Sequence, residues 1–80
     1  MDISTDIKEI IAKSFKKPLE EISGNTIFLK ELEADSLKML ELVSDIEAHY
    51  NIKIDNEDLY NLKSIDQLII LVKKHLAKNQ

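Results

Sequence analysis

Ser36 is the residue of this chain whose type and surroundings are best suited to chemistry. It lies between Asp35 and Leu37, where an irregular stretch gives way to a helical spacing of apolar residues. Asp35 is a favourable N-cap residue, because its carboxylate can accept hydrogen bonds from the free N–H groups of a first helical turn. That cap places Ser36 in the first turn, with its hydroxyl pointing outward at the positive end of the helix dipole. Such a position favours a phosphate group.

The surroundings of Ser36 do not fit a catalytic serine. Many serine hydrolases place a glycine two residues to either side of the nucleophile, where this chain has Ala34 and Lys38. His49 lies thirteen residues further along the same predicted helix. At 1.5 Å per residue it is about 20 Å away, which is too far for a base. We therefore expect no catalytic residues and no enzymatic activity.

Metal sites are not expected either. The chain has two histidines and no cysteine, so the usual ligand sets of zinc are missing. The acidic stretch Asp55-Asn56-Glu57-Asp58 has the composition of a calcium loop, but the central glycine and the distal glutamate of such a loop are missing. This stretch fits better as the start of a short helix.

The helix after Asp35 is expected to run from Ser36 to Tyr50. At about 100° per residue, its inner side carries the apolar residues Met39, Leu42, Val43, Ile46 and Tyr50. The outer side carries Lys38, Glu41, Asp45, Ala48 and His49. Leu37 falls among the polar residues and should be exposed, while Leu40 lies at the edge of the inner side.

The other elements also follow from helical spacing and from turn residues. A first helix, with Ser4 or Thr5 as candidate caps, should end near Lys16 or Lys17 because Pro18 follows. Residues 17–35 should form a long loop anchored by apolar side chains, namely Leu19, Ile22, Ile27, Phe28 and Leu32. A short third helix should follow Asp55, and a last helix should begin at the capping box Ser64-Ile65-Asp66-Gln67 and run to about Ala77.

These elements predict an all-α fold. We expect a four-helix bundle of three longer helices and one short helix, with a long loop between the first two, formed by residues 1–80 as a single domain. A hydrophobic content of 44% is sufficient for one modest core.

The charge distribution excludes some partners and favours others. The net charge is −4, but residues 31–66 hold ten acidic residues against three lysines, and arginine is absent. An acidic region around Ser36 repels nucleic acid and attracts basic protein surfaces. No apolar run is long enough to cross a membrane. We therefore expect a cytoplasmic monomer that binds no nucleic acid and does not insert into membranes.

The stretch Asp35-Ser36-Leu37 in this setting resembles the acyl carrier protein family, which has these residues at the start of its second helix. The similarity extends over nearly the whole chain, through the helix order, the acidic middle and Glu41-Leu42-Val43. It implies that a separate transferase attaches 4′-phosphopantetheine from coenzyme A covalently to Ser36. Asp35 and Leu37 would complete the recognition motif. The thiol of the arm would carry acyl groups as thioesters, most simply in fatty acid biosynthesis.

The resemblance also implies partners and an acyl-chain site. The expected partners are a phosphopantetheinyl transferase and the acyl-transfer, condensing and reducing enzymes of an acyl pathway, each docking through a basic surface. The residues expected to meet them are Leu37, Lys38, Glu41, Asp45 and Glu47. The bundle could also shelter an acyl chain among apolar side chains, for which the candidates are Phe28, Leu40, Val43, Ile46, Ile54, Leu59, Ile65 and Ile69.

Two positions depart from the family pattern. Glu33 stands where a glycine is usual, and Lys38 stands where an acidic residue is expected. These departures leave open a specialised carrier of the same fold, such as one for a D-alanyl, polyketide or peptide pathway. A helical adaptor that carries no arm and presents an acidic face to a partner is the other alternative.

Overall fold

The structure is a computed structural model that describes residues 2–33 and 35–78, without the side chains of Leu29, Glu31, Ser36 and Lys78. It contains helices α1 (Ile3–Phe15), α2 (Phe28–Glu31), α3 (Ser36–Tyr50), α4 (Asn56–Tyr60) and α5 (Ile65–Lys78), with a 3-10 helix at Leu19–Glu21. The prediction of a helical bundle with three longer helices and a short one is confirmed. The single-turn helix α2 lies inside the predicted long loop and was not predicted from the sequence.

The start of α1 differs from the prediction. Its N-cap is Asp2, whose carboxylate accepts hydrogen bonds from the Ser4 backbone N–H at 3.1 Å and from the Thr5 hydroxyl at 3.0 Å. Ser4 and Thr5 are therefore donors to the cap rather than caps. These two bonds, the Thr5 bond first, lower the pKa of Asp2. The end of α1 is as predicted, because Lys16 closes the helix in a left-handed conformation before Pro18.

The long connection between α1 and α3 is pinned to the beginning of α5. The Phe28 N–H donates to the Lys63 carbonyl at 3.0 Å, and the Ile65 N–H donates to the Thr26 carbonyl at 3.1 Å. Ile22, Phe28 and Leu32 are buried as predicted, whereas Leu19 is 42% exposed and is not an anchor. The prediction for Leu19 was wrong because it lies on the short 3-10 helix, which turns this side chain towards solvent.

The capping box before α5 is confirmed. The Ser64 hydroxyl accepts from the Gln67 N–H at 3.4 Å, and the Gln67 side chain accepts from the Lys63 N–H at 2.7 Å. Between α3 and α4 the chain runs through Ile52 and Ile54 without forming a strand, as expected.

One core connects the helices. Its completely buried large side chains come from α1, α3 and α5, namely Ile7, Ile11, Leu42, Ile46, Ile65, Leu68 and Val72. The helices α1 and α3 pack antiparallel, since Glu9 lies beside His49 at one end and Phe15 lies beside Lys38 at the other. The C-terminal end of α1 therefore adjoins the start of α3. No helix in the described part of the chain is long and apolar enough to cross a membrane.

Candidate functional site

The start of α3 has the predicted cap. The Asp35 carboxylate accepts a hydrogen bond from the Lys38 N–H at 2.8 Å, and the Asp35 carbonyl accepts one from the Met39 N–H at 3.0 Å. Helix α3 thus begins at Ser36, as the sequence predicts. The Ser36 side chain and Ala34 lie outside the described residues, and the predicted outward direction of the hydroxyl remains a prediction.

Glu33, just before this cap, has a left-handed backbone conformation with φ of 52°. A side chain in this conformation costs roughly 1 kcal/mol, a cost that glycine avoids. The difference from the family pattern noted at this position therefore has a physical consequence. The chain adopts the turn that a glycine would permit, but with a glutamate in it.

The surface next to the start of α3 is partly apolar. Leu37 is 67% exposed, which confirms the prediction for this residue. Leu40 is 51% exposed and so lies further out than the edge of the inner side. Two exposed leucines one turn apart form a small apolar surface beside the first turn of α3.

Lys38 is held by two neighbours. Its Nζ atom lies 3.9 Å from the Glu41 carboxylate and 5.6 Å from the centre of the Phe15 ring on α1. Its side chain is 40% exposed, so Lys38 lies on the outer side of α3, as predicted, while its Nζ atom also reaches α1. The contact with Phe15 was missed because it joins two helices and depends on their antiparallel packing.

The three acidic candidates on α3 have different surroundings. Glu41 and Asp45 are exposed, and Asp45 lies beside a shallow groove of about 350 Å³ between α1 and α3. Glu47 is partly buried, and its carboxylate accepts a hydrogen bond from the Ile54 N–H at 2.7 Å. Asp45 is thus available to a partner, Glu41 is exposed but shares its charge with Lys38, and Glu47 already binds the backbone of the same chain.

An open groove of about 530 Å³ runs between α2, α3 and α4. It is lined by Ile27, Phe28, Lys30, Met39, Leu59, Tyr60, Leu62 and Lys63. Two of the predicted acyl-chain residues, Phe28 and Leu59, lie here. Met39 belongs to the helical turn that begins at Ser36, so the groove opens beside the start of α3. The sequence shows Ile27, Met39 and Leu62 to be apolar but cannot show that they meet.

The other acyl-chain candidates lie elsewhere. Five of them are buried in the core, namely Val43, Ile46, Ile54, Ile65 and Ile69. Leu40 is exposed and does not line the groove. A chain that reaches the five buried residues has to open the core, whereas a chain in the groove does not.

The described residues include no group of three or more histidine, cysteine, aspartate or glutamate side chains that could hold a metal ion.

His49 lies at the opposite end of α3 from Ser36, with its ring edge-on to Tyr50. His49 is therefore too far along α3 to act as a base for residue 36.

Residues 5–72 match the family model described as "Phosphopantetheine attachment site". That match defines the class: a domain that carries a phosphopantetheine arm. The surroundings of Ser36 fit the arm, since the long helix α3 starts there, Leu37 beside it is exposed, and a groove opens within one turn.

Relatives and solved structures agree with this class. The chain is 41% identical to an acyl carrier protein homolog of Mycoplasma genitalium, over 96% of this chain and 92% of that protein. It is 32% identical to an acyl carrier protein of Buchnera aphidicola, over 94% and 96% of the two chains. The holo acyl carrier protein of Geobacter metallireducens superposes with a TM-score of 0.84 at 28% identity, covering 99% of this chain and 91% of that one. The chain therefore belongs to the acyl carrier protein family, and its cofactor is 4′-phosphopantetheine.

Members of this family are carriers rather than catalysts. They work with a phosphopantetheinyl transferase and with the enzymes of acyl pathways. When attached, the arm would supply the thiol that binds acyl groups.

Proposed function

We propose that Ser36 is the attachment site of the arm and that the protein carries acyl intermediates in fatty acid biosynthesis. The observation that carries this proposal is the sequence Asp35-Ser36-Leu37 at the capped start of a 15-residue helix, inside the region that matches the attachment-site family. Asp35 caps the helix, so residue 36 is its first residue. The exposed Leu37 gives a transferase an apolar contact directly beside that position.

The first prediction is that Ser36 alone accepts the arm. Incubation with coenzyme A and a broad-specificity phosphopantetheinyl transferase should add one phosphopantetheine mass to the intact protein. Ser36→Ala should remove the addition. Ser44→Ala is the matched control, because Ser44 is an exposed serine on the same helix, and it should be modified like the wild type. A mass gain that persists in Ser36→Ala would refute the proposal.

The proposed partners are a phosphopantetheinyl transferase and the acyl-transfer, condensing and reducing enzymes of an acyl pathway. They would dock on Leu37, Glu41 and Asp45. These three residues are exposed and lie on the first turns of α3 after Ser36. Basic groups of a partner would meet the two carboxylates, and an apolar contact would cover Leu37. We also propose that residues 1–80 act as one domain and as a monomer.

A specialised carrier is the second candidate, and one observation favours it. The first turn of α3 contains no acidic residue, and its charged side chain is Lys38. Transfer of malonyl groups onto the loaded protein by the malonyl transferase of a general fatty acid pathway separates the two candidates. Rapid transfer supports fatty acid biosynthesis. A loaded protein that this transferase ignores would instead belong to another pathway.

A further inference from the structure

The end of α1 and the first turn of α3 together form a cationic edge beside the attachment site. We name it the lysine edge and define it by Lys16, Lys17 and Lys38. Lys16 and Lys17 are exposed. Lys16 and Lys17 directly follow Phe15, whose ring lies 5.6 Å from the Lys38 Nζ atom. The edge exists because α1 and α3 are antiparallel, which brings the C-terminal end of α1 to the start of α3.

Within the described part of the chain, the acidic groups beside this edge are found at Lys38. Glu41 is paired with the Lys38 side chain at 3.9 Å, and the Asp35 carboxylate accepts a hydrogen bond from the Lys38 backbone N–H at 2.8 Å. Glu20 and Glu21 follow Pro18 on the 3-10 helix, but neither forms an ion pair with the described lysines. The charge of Lys16 and Lys17 is thus available to a partner.

Lys38 contacts both Phe15 and Glu41. Contacts of this kind restrict a long side chain, so less conformational entropy is lost when a partner binds it. Leu37 and Leu40 lie on the same turns and are exposed. Lys38 therefore places a positive charge beside the small apolar surface of Leu37 and Leu40. Such a combination can favour partners with a matching charge and disfavour others.

We propose that the lysine edge is an interaction surface for partner proteins with acidic side chains at the matching place, and that Lys38 is its specificity-determining residue. The proposal rests on the proposed function, since the same partners must reach Ser36. Such a partner would combine carboxylates facing the lysine edge with the basic groups that meet Glu41 and Asp45. A partner whose docking face is entirely basic would be repelled at Lys38.

The test uses the rate of phosphopantetheine attachment by a transferase with a basic docking face. The variants are Lys38→Glu, Lys38→Gln and Lys53→Glu. Lys53 is an exposed lysine after the far end of α3, and it is the matched control for an equal change in net charge. Thermal melts followed by circular dichroism establish that each variant is folded. Lys38→Gln keeps much of the stem beside Phe15 and removes the charge alone.

The expected rates follow from charge complementarity. At about 25 mM salt, Lys38→Glu should raise kcat/KM about threefold to tenfold, with Lys38→Gln in between and Lys53→Glu within about twofold of the wild type. The gain should disappear near about 500 mM salt, where screening is nearly complete. With a transferase whose basic residue facing Lys38 is replaced by glutamate, the order should reverse, and the wild type should react faster than Lys38→Glu.

Two outcomes would overturn different conclusions. If Lys38→Glu and Lys53→Glu react at equal rates with both transferases at low salt, the lysine edge is not an interaction surface, while the attachment at Ser36 stands. If no variant gains a phosphopantetheine, the proposed function fails, and the inference about the edge fails with it.

Discussion

Tyr50 places a polar atom in an apolar environment at the end of α3. Its hydroxyl oxygen is buried and has no hydrogen-bond partner among the described residues. Burial raises the pKa of the Tyr50 phenol above its ordinary value of 10.0, and the charge of Asp6 raises it further. An unsatisfied buried polar group costs about 1–3 kcal/mol, so this hydroxyl opposes folding rather than supporting it.

The replacement Tyr50→Phe is therefore expected to stabilise the protein. At neutral pH the free energy of unfolding should rise by up to about 1 kcal/mol, because the unsatisfied oxygen is removed while the ring still packs. Some groups have a higher pKa in the folded protein than in the unfolded chain. The contribution of such a group to the free energy of unfolding is fully present below its unfolded pKa and is lost as the pH rises through its folded pKa. The wild type should accordingly lose stability above about pH 10 more steeply than Tyr50→Phe.

Urea unfolding at neutral pH and above pH 10 measures both effects. The control is Tyr60→Phe, since the Tyr60 side chain is 85% exposed and its replacement should leave the free energy of unfolding at neutral pH unchanged. A loss of more than about 1 kcal/mol in Tyr50→Phe would show that the hydroxyl makes a favourable contact.

At the scale of the elements, Glu47 directs the reversal of the chain after α3. Its carbonyl accepts from the Ile52 N–H at 3.1 Å, and its carboxylate accepts from the Ile54 N–H at 2.7 Å. Asn51 between them has the left-handed conformation that asparagine tolerates well. These bonds bring Ile52 and Ile54 back onto the core, where both are buried.

Loss of the Glu47 carboxylate should loosen this connection. Glu47→Ala is expected to lower the free energy of unfolding by about 1.5–3 kcal/mol, the range for a hydrogen bond to a charged group. Glu47→Gln should lose less, since an amide oxygen can still accept from Ile54. Glu41→Ala, at an exposed glutamate on the same helix, should change stability by less than about 1 kcal/mol.

Hydrogen exchange at the Ile54 amide gives a local measurement of the same bond. Protection at Ile54 should fall in Glu47→Ala while the middle of α3 stays protected. Equal protection in the wild type and Glu47→Ala would mean that the carboxylate does not hold this segment.

The elements that the sequence predicts well are those fixed by neighbouring residues. The bounds of α3 follow from the Asp35 cap and the apolar spacing after it, and the start of α5 follows from Ser64 and Gln67. The cap of α1 was misplaced because Asp2 and Ser4 are both good N-cap residues, so the local pattern is ambiguous. The turn α2 depends on the bond between Phe28 and Lys63, which are far apart in sequence. Distant contacts of this kind leave no local pattern.

The same division applies to the candidate site. Ser36 and its cap are local features, and the sequence indicates them. The contact of Lys38 with Phe15 and the assembly of the groove depend on how helices pack. They could not be inferred from spacing within any one helix.

At the scale of the whole molecule, apolar side chains are divided between a closed core and an open groove. The core side chains of α3 and α5, such as Ile46 and Ile65, are completely buried. The groove between α2, α3 and α4 is open beside the start of α3 and includes Phe28, Met39 and Leu59. An acyl chain attached through the arm should therefore enter the groove first, because the core has to separate before it can accept a guest.

Acyl loading should then stabilise the fold by an amount that depends on chain length. Each sheltered methylene gains at most about 0.8 kcal/mol, so a chain of about six to eight carbons could add a few kcal/mol, less the cost of any opening. Thermal melts of the unloaded and loaded forms measure the gain. Leu59→Trp should fill the groove and reduce the gain while the arm is still loaded. Ile70→Trp, at a 65% exposed position on α5, is the control and should retain it. If Leu59→Trp keeps the full gain, the chain lies in the core instead, and equal melting points for all chain lengths would place it in solvent.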